Sequence, residues 1–274
     1  ETMSTASTYR DGAVSTADRA VETEDGSIPV RVYRPGDGEM PTTVYFHGGG
    51  FVVGSVQTHD ATCRAIADLT ESVVVSVDYR LAPEHPFPAA VHDAYAVTEW
   101  AMDTASDLGG TDELVVAGDS AGATLAAVIT LLARDRYGPT IDYQMLFYPS
   151  TSADSDWPSI TDTETGRFLS AADMEWFGDL YLSDPLHAAN RYAFPLEACS
   201  FVGLPPATVV TAGFDPLRDE GIAYADALDG ADVPVVHRHH EDMVHGFVSM
   251  IGRVDRAESA IEAVGTDRDS ELAE

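Results

Sequence analysis

The sequence predicts an α/β fold: a mostly parallel sheet of eight strands with helices on both faces. Three observations predict it: strand patterns alternate with helical patterns, an antiparallel hairpin pattern precedes them, and 45% of the residues are hydrophobic, enough to bury one sizeable core. We expect residues 1–274 to form a single domain. After the hairpin, strands are expected at residues 42–46, 73–78, 114–118, 143–148, 207–213 and 233–238, and helices near 59–70, 88–107, 121–136, 217–229 and 255–264.

The N-terminal part predicts an antiparallel edge to this sheet. Two short strand patterns, at residues 20–23 and 28–33, flank Glu-Asp-Gly-Ser at 24–27, which is typical of a hairpin turn. Residues 1–18 are rich in Ser, Thr, Ala and Asp and show no strong periodicity. We therefore expect them to form a loosely ordered arm.

The charge balance restricts the classes of partner. The chain has 15 basic residues, all of them arginine, against 46 acidic residues, and its formal net charge is −31. Nucleic acids and anionic membrane surfaces attract positive charge, so neither is expected as a partner. Disorder, the usual explanation of an acidic chain, requires few apolar residues, whereas this chain has long Val- and Leu-rich runs. The acidity therefore belongs to a folded surface.

Such a surface indicates adaptation to salt. At molar salt the Debye length is about 3 Å, so the self-repulsion of the carboxylates is largely screened. We expect the protein to work in a very salty cytoplasm; an ordinary acidic enzyme of a mesophile is the alternative. No apolar run long enough to span a membrane is evident, and the two cysteines, Cys63 and Cys199, are expected to be packing residues rather than a disulfide framework.

A serine in a strand-to-helix turn is the first chemical signal. The strand pattern at residues 114–117 leads into Gly-Asp-Ser-Ala-Gly at 118–122, and a long apolar helical pattern follows. A sharp turn of this kind strains the central residue, Ser120, and makes its hydroxyl project, which requires Gly118 and Gly122 to lack side chains. Ser120 is therefore a candidate nucleophile.

A glycine triplet supplies the second signal. The strand pattern at residues 42–46 ends in His-Gly-Gly-Gly at 47–50. Bare backbone N–H groups in such a loop can approach an anion closely, as in the oxyanion hole of lipases and esterases. An isolated glycine triplet is more simply a flexible turn, but its pairing with the Ser120 turn favours the oxyanion hole.

With these motifs the chain resembles the hormone-sensitive lipase family of α/β-hydrolases, over about residues 28–250. The resemblance implies an α/β-hydrolase fold and a serine esterase in which Ser120, Asp215 and His245 form the catalytic triad. It also implies oxyanion donors from the backbones of Gly48, Gly49 and Ala121. The matching runs are His-Gly-Gly-Gly-Phe at 47–51, Asp-Tyr-Arg-Leu-Ala-Pro-Glu-His at 78–85, Gly-Asp-Ser-Ala-Gly at 118–122, Asp-Pro-Leu-Arg-Asp-Glu-Gly at 215–221 and His-Gly-Phe at 245–247.

A cap over the site is expected from the same resemblance. Residues 151–205 interrupt the alternation of strands and helices, and a helical pattern at 171–182 lies within them. With residues 1–18, this insertion resembles a partial cap, because the N-terminal cap helices usual in the family have little room here. The family also usually continues the serine motif with Gly-Asn, where this chain has Ala123 and Thr124.

Position in the chain supports two of the triad members independently. His245 follows the last strand pattern, so the candidates occur in the order Ser, Asp, His that this fold uses. Asp215 follows a strand pattern closely, as a carboxylate fixed by the scaffold should. Asp242 is the local rival for its role, and His47, which precedes the serine, is expected to organise its glycine loop.

A metal site is the main alternative use of the histidines. His237, His239 and His240 lie close to His245 in the sequence. On a strand, His237 and His239 share one face and His240 faces the other, so three ligands cannot converge without another segment. We expect neither a metal nor a cofactor. Surface or packing roles are expected of His59, His85, His92 and His187.

The sequence therefore predicts a cytoplasmic serine carboxylesterase that hydrolyses short- to medium-chain carboxylic esters through an acyl-enzyme. An amidase or deacetylase with the same triad is one alternative. A non-catalytic receptor for a small ligand is the other, because the same fold serves binding as well as catalysis. The expected partner is a small ester, and a homodimer is a possible assembly.

Overall fold

The computed structural model describes residues 13–162 and 167–273, and in these ranges the predicted α/β architecture is confirmed. The strands are β1 Ser15–Thr23, β2 Gly26–Arg34, β3 Met40–Phe46, β4 Val73–Val77, β5 Gly110–Asp119, β6 Tyr143–Phe147, β7 Ala207–Phe214 and β8 Val235–Val244. The α-helices are α1 Asp60–Leu69, α2 Ala89–Leu108, α3 Ala121–Arg136, α4 Pro158–Thr161, α5 Ala171–Tyr181, α6 Arg218–Asp229 and α7 Asp255–Leu272, and short 3-10 helices lie at Pro185–Ala189, Pro195–Glu197 and Phe247–Ser249.

Eight strands of the described chain form one sheet, in the order β1-β2-β4-β3-β5-β6-β7-β8. The β1–β2 hairpin is antiparallel and joins β4 in antiparallel register, whereas every neighbouring pair from β4 to β8 is parallel. The antiparallel N-terminal edge is thus confirmed. The carboxyl ends of β3 to β8 lie on one edge of the sheet, where α/β folds bind ligands.

Each face of the sheet is covered by helices. Successive residues of a strand point to opposite faces, so Val44 packs into one core with residues of α2, α3 and α6, and Tyr45 packs into the other with residues of α1 and α7. The central strands are buried on both sides. No helix in the described ranges combines the length and the apolar character needed to cross a bilayer.

The expectation of a loosely ordered arm is wrong from Ser15 onward. Residues 15–18 form the first part of β1, and Asp18 binds Arg31 of β2, with Oδ1 2.6 Å from Nε. β1 is an edge strand whose residues are mostly exposed, so no apolar periodicity marks it in the sequence. The other expected arm residues, 1–12, lie outside the described ranges.

The last helix ends later than its apolar pattern does. α7 continues to Leu272, beyond the predicted end near residue 264. Arg268, which is 2% exposed, continues its buried face and donates a hydrogen bond to the Thr70 carbonyl at 2.8 Å. A buried arginine in this position cannot be read from hydrophobic periodicity.

Candidate active site

Ser120 occupies the predicted turn between β5 and α3. Its backbone has φ 54° and ψ −124°, in a region that residues with side chains rarely adopt. A side chain at Gly118 would overlap the backbone of Gly122, and one at Gly122 would overlap the carbonyl of Phe46. The tight approach of these backbones maintains the strained conformation of Ser120, at the carboxyl end of β5.

The structure brings Ser120, His245 and Asp215 into one hydrogen-bonded line. His245 Nε2 lies 3.0 Å from Ser120 Oγ, and His245 Nδ1 lies 2.8 Å from Asp215 Oδ2. Asp215 is fully buried, and its other oxygen accepts the N–H of Leu217 at 2.9 Å. Asp215 follows β7 and His245 follows β8, so the ends of parallel strands hold all three groups.

This geometry assigns the protons on His245. A carboxylate can only accept hydrogen bonds, so Nδ1 carries the proton donated to Asp215 and Nε2 is left as an acceptor facing the Ser120 hydroxyl. The ring of Tyr148 packs against His245 at a centroid distance of 4.8 Å. An imidazole held in this tautomer can take the proton of the serine as the oxygen attacks a substrate.

The amide of Gly48 contradicts one sequence expectation. Its N–H donates to Asp119 Oδ1 at 2.8 Å, so it is already used within the protein. By contrast, the backbone N–H groups of Gly49, Gly50 and Ala121 donate to no acceptor within residues 13–162 and 167–273. Gly50 therefore replaces Gly48 among the candidate oxyanion donors, and Gly48 anchors the loop.

His47 orients the next peptide of the loop. Its Nδ1 lies 2.8 Å from the carbonyl oxygen of Gly48, an acceptor, so Nδ1 carries the proton. Burial and the nearby charge of His59 lower the pKa of His47 to about 4, so the ring is neutral near pH 7. In a trans peptide the Gly48 carbonyl and the Gly49 N–H point in opposite directions. Anchoring the carbonyl thus directs the Gly49 N–H away from His47.

The other candidate residues are not part of the hydrogen-bonded line of Ser120, His245 and Asp215. The side chain of Asp242 is 65% exposed and lies 3.6 Å from Arg256 Nη2. His237 and His239 both contact the Thr211 hydroxyl, at 2.8 and 2.9 Å. In the part of the chain that the structure describes, no group of three or more His, Cys, Asp or Glu side chains is arranged to hold a metal ion.

Helix α5 of the insertion lies over the glycine loop. The ring of Tyr181 stacks on Phe51 at a centroid distance of 3.8 Å, and the Tyr181 carbonyl accepts the N–H of Phe87 at 2.9 Å. A side chain at Gly50 would overlap the ring of Phe177. The insertion thereby places aromatic surface beside the candidate oxyanion donors.

Hydrogen bonds fix the base of the insertion to the helices below it. The hydroxyl of Thr124 donates to the Ser150 carbonyl at 2.6 Å, so the residue that departs from the family pattern has a packing role. Glu220 Oε2 accepts the N–H of Ser152 at 3.0 Å, and the Glu220 carbonyl accepts the Thr151 hydroxyl at 2.8 Å. Glu220 thus joins α6 to the start of the insertion.

Glu220 also predicts a pH-dependent stability. It is fully buried, and burial raises the pKa of its carboxyl well above the usual range. The unfolded chain therefore loses this proton first, and the free energy of unfolding falls as pH rises above the unfolded pKa of about 4.3. In urea unfolding, we expect the wild type to lose stability relative to Glu220→Gln as the pH rises above about 5.

Glu262→Gln is the matched control, since Glu262 is exposed on α7. This variant shows what the loss of a surface carboxylate alone does to the free energy of unfolding. A stability difference between Glu220→Gln and the wild type that stays constant with pH would contradict the argument.

Asp119 is the site residue that the sequence analysis did not single out. It lies inside the serine motif, is 4% exposed and also accepts the Tyr45 hydroxyl at 2.6 Å. The available signal is an acidic residue at the end of an otherwise apolar buried strand pattern. Such a carboxylate must find donors, but the sequence alone does not reveal that Gly48 is one of them.

Comparisons with known proteins show the family of the chain. Residues 43–249 match the family described as alpha/beta hydrolase fold. The chain is 43% identical to Esterase LipI of Mycobacterium tuberculosis, over 89% of this chain and 78% of that protein. It is 45% identical to Carboxylic ester hydrolase LipN of the same organism, over 86% of this chain and 65% of that protein.

Solved structures give the same result. The hyperthermophilic esterase from the archaeon Pyrobaculum calidifontis superimposes with a TM-score of 0.90 at 44% identity, covering 95% of this chain and 87% of that one. The family match covers more than half of the chain, and the relatives exceed 40% identity. The chain therefore belongs to the alpha/beta hydrolase fold family, and its resemblance to hormone-sensitive lipase family carboxylesterases is confirmed.

Proposed function

We propose that the chain is a serine carboxylesterase that hydrolyses short- to medium-chain carboxylic esters through an acyl-enzyme. The observation that carries this proposal is the line from Asp215 through His245 to Ser120, with contacts of 2.8 and 3.0 Å. Relatives named as esterases support the ester as the substrate.

The reaction follows from the assigned protons. Ser120 Oγ bonds to the ester carbonyl carbon while its proton passes to His245 Nε2, and the carbonyl electrons move onto oxygen. The N–H groups of Gly49, Gly50 and Ala121 can stabilise that oxyanion, and removing one donor in comparable sites costs about 10²- to 10³-fold in turnover. Collapse of this tetrahedral intermediate breaks the bond between the carbonyl carbon and the alcohol oxygen. The departing alcohol takes the proton from His245.

Water completes the cycle. His245 removes a proton from water as the water oxygen attacks the acyl carbon on Ser120. Collapse of the second tetrahedral intermediate breaks the bond to Oγ, returns the proton to Ser120 and releases the carboxylic acid. Asp215 stays a carboxylate throughout and stabilises the imidazolium that forms in each half-reaction.

Rapid-mixing kinetics test the proposal. With p-nitrophenyl acetate and butyrate we expect fast release of p-nitrophenol, up to one equivalent per enzyme where deacylation is slower, followed by steady turnover. Matching p-nitroanilides should turn over far more slowly. Faster cleavage of the anilides would favour the amidase alternative, and tight binding without turnover of either series would favour a receptor.

We further propose that this esterase is adapted to a cytoplasm of high salt concentration. The support is the excess of 46 acidic residues over 15 basic ones, which leaves most carboxylates without an arginine to pair with. Their mutual repulsion destabilises the folded chain in dilute buffer and is screened by salt.

Thermal unfolding in a KCl series measures this effect. We expect Tm to rise as KCl increases from about 0.1 M to the molar range, where the Debye length falls from about 10 Å to about 3 Å. Sucrose at matched osmolality is the control for general solute exclusion. A Tm that does not rise with KCl, or rises equally in sucrose, would refute the adaptation.

A further inference from the structure

A buried charged cluster lies beneath the glycine loop. Asp119 Oδ1 accepts hydrogen bonds from the Tyr45 hydroxyl at 2.6 Å and from the Gly48 N–H at 2.8 Å. His59 Nε2 lies 3.4 Å from the same oxygen, and the side chains of His59 and Asp119 are only 12% and 6% exposed. His59, expected to be a plain packing or surface residue, thus lies within ion-pair distance of this carboxylate.

The contacts of Thr58 favour a proton on both ring nitrogens of His59. The Thr58 hydroxyl donates its single hydrogen to the Ser55 carbonyl at 2.9 Å and accepts the Ser55 N–H at 2.9 Å. His59 Nδ1 lies 2.9 Å from the same hydroxyl oxygen, so with the Thr58 hydrogen on the Ser55 carbonyl Nδ1 is the donor of this contact. Nε2 lies 3.4 Å from Asp119 Oδ1, an ion pair that forms when Nε2 is protonated. Protons on both ring nitrogens satisfy all these contacts at once, which favours an imidazolium at His59.

The electrostatics of the pair agree with this assignment. Burial lowers the pKa of His59, but the charge and contact of Asp119 more than offset it and leave the pKa above its usual value. Burial raises the pKa of Asp119, and His59, Tyr45 and Gly48 together bring it down to about 2. An unpaired carboxylate at this depth would be strongly unfavourable, so Asp119 depends on the charge of His59.

Asp119 couples this pair to the reacting groups. It immediately precedes Ser120, and the residue it binds, Gly48, immediately precedes Gly49. This hydrogen bond therefore links the Ser120 turn to the loop that carries the adjacent oxyanion donor, just beyond the β3–β5 pairing that ends at Phe46 and Gly118. Without its counter-charge, Asp119 would take up a proton or move toward other donors, and the Gly48 amide would lose a strong acceptor.

We propose that His59, as an imidazolium, is a positioning residue for ester hydrolysis: it holds Asp119 in the form that ties the glycine loop to the Ser120 turn. The inference rests on the proposed esterase function. It predicts that His59 contributes to turnover although it touches neither the substrate nor the triad.

A double-mutant cycle of His59→Gln and Asp119→Asn tests the inference. Glutamine keeps an N–H donor and removes the charge. With p-nitrophenyl acetate we expect each single variant to lower kcat about 10- to 100-fold, less than the loss of a whole oxyanion donor, with KM changed less than about twofold. The double variant should be no slower than the slower single variant, because both changes remove one interaction.

His92→Gln is the matched control, since His92 is exposed on α2 and should retain wild-type kinetics. Wild-type kcat in His59→Gln, or losses that multiply in the double variant, would overturn the inference while leaving the esterase intact. Failure of the wild type to release p-nitrophenol would instead refute the proposed function. The two failures are therefore distinguishable.

Nitrogen-15 NMR of the wild type gives a test that does not depend on variant folding. With His59 assigned through its backbone, both ring nitrogens should carry protons near pH 7. A His59 ring with one unprotonated nitrogen would overturn the inference, even if the variants did not fold.

Discussion

Replacing Ser120 by alanine should lower kcat for p-nitrophenyl acetate by about 10⁶-fold, as loss of the nucleophile does in a related triad. Alanine tolerates the backbone of Ser120 as well as serine does, and the rest of the site keeps its contacts. Circular dichroism should therefore remain that of the wild type. The loss is then chemical: without the hydroxyl, His245 Nε2 has no proton to accept and no acyl-enzyme forms.

Ser259→Ala is the control for this substitution. Ser259 is exposed on α7, where its hydroxyl donates to the Arg256 carbonyl at 3.2 Å. It should keep wild-type kinetics. Esterase activity of Ser120→Ala within tenfold of the wild type would show that Ser120 is not the nucleophile.

Replacing Asp215 by asparagine should lower kcat by about 10⁴-fold, the loss found for the same change in a related triad. The asparagine amide can donate a hydrogen bond toward His245 Nδ1, which stabilises the tautomer with its proton on Nε2. That tautomer cannot accept the proton of Ser120. Because asparagine has nearly the same shape as aspartate, the fold should be retained, and steady-state kinetics with stability measurements check both points.

Asp242→Asn distinguishes the two carboxylates that the sequence offers. Its side chain is mostly exposed and pairs with Arg256, whereas Asp215 is buried against His245. The Asp242 variant should keep wild-type kinetics. A greater loss in Asp242→Asn than in Asp215→Asn would reverse the assignment.

The fold was predictable because its signals are local. The apolar run before Ser120 and the glycines around it indicate a strand and a sharp turn without any knowledge of distant residues. The start of β1 was not predicted because an exposed edge strand needs few apolar side chains. The end of α7 was not predicted because Arg268 buries its guanidinium against a backbone carbonyl.

The site was predictable only in part, for a different reason. The candidates Ser120, Asp215 and His245 could be selected from motifs and chain order. The direction of a backbone N–H could not: the Gly48 N–H binds Asp119, which lies 71 residues further along the chain. The positioning role proposed for His59 likewise depends on contacts between separate segments, which a motif does not encode.

Covalent labelling tests the central claim most directly. A fluorophosphonate reacts with a serine that is activated by a neighbouring imidazole, and peptide mass spectrometry locates the adduct. We expect one adduct per chain, on Ser120, with loss of esterase activity in proportion to labelling and no adduct in Ser120→Ala. Full inactivation with the adduct on another residue, or an active enzyme that stays unlabelled, would contradict the account.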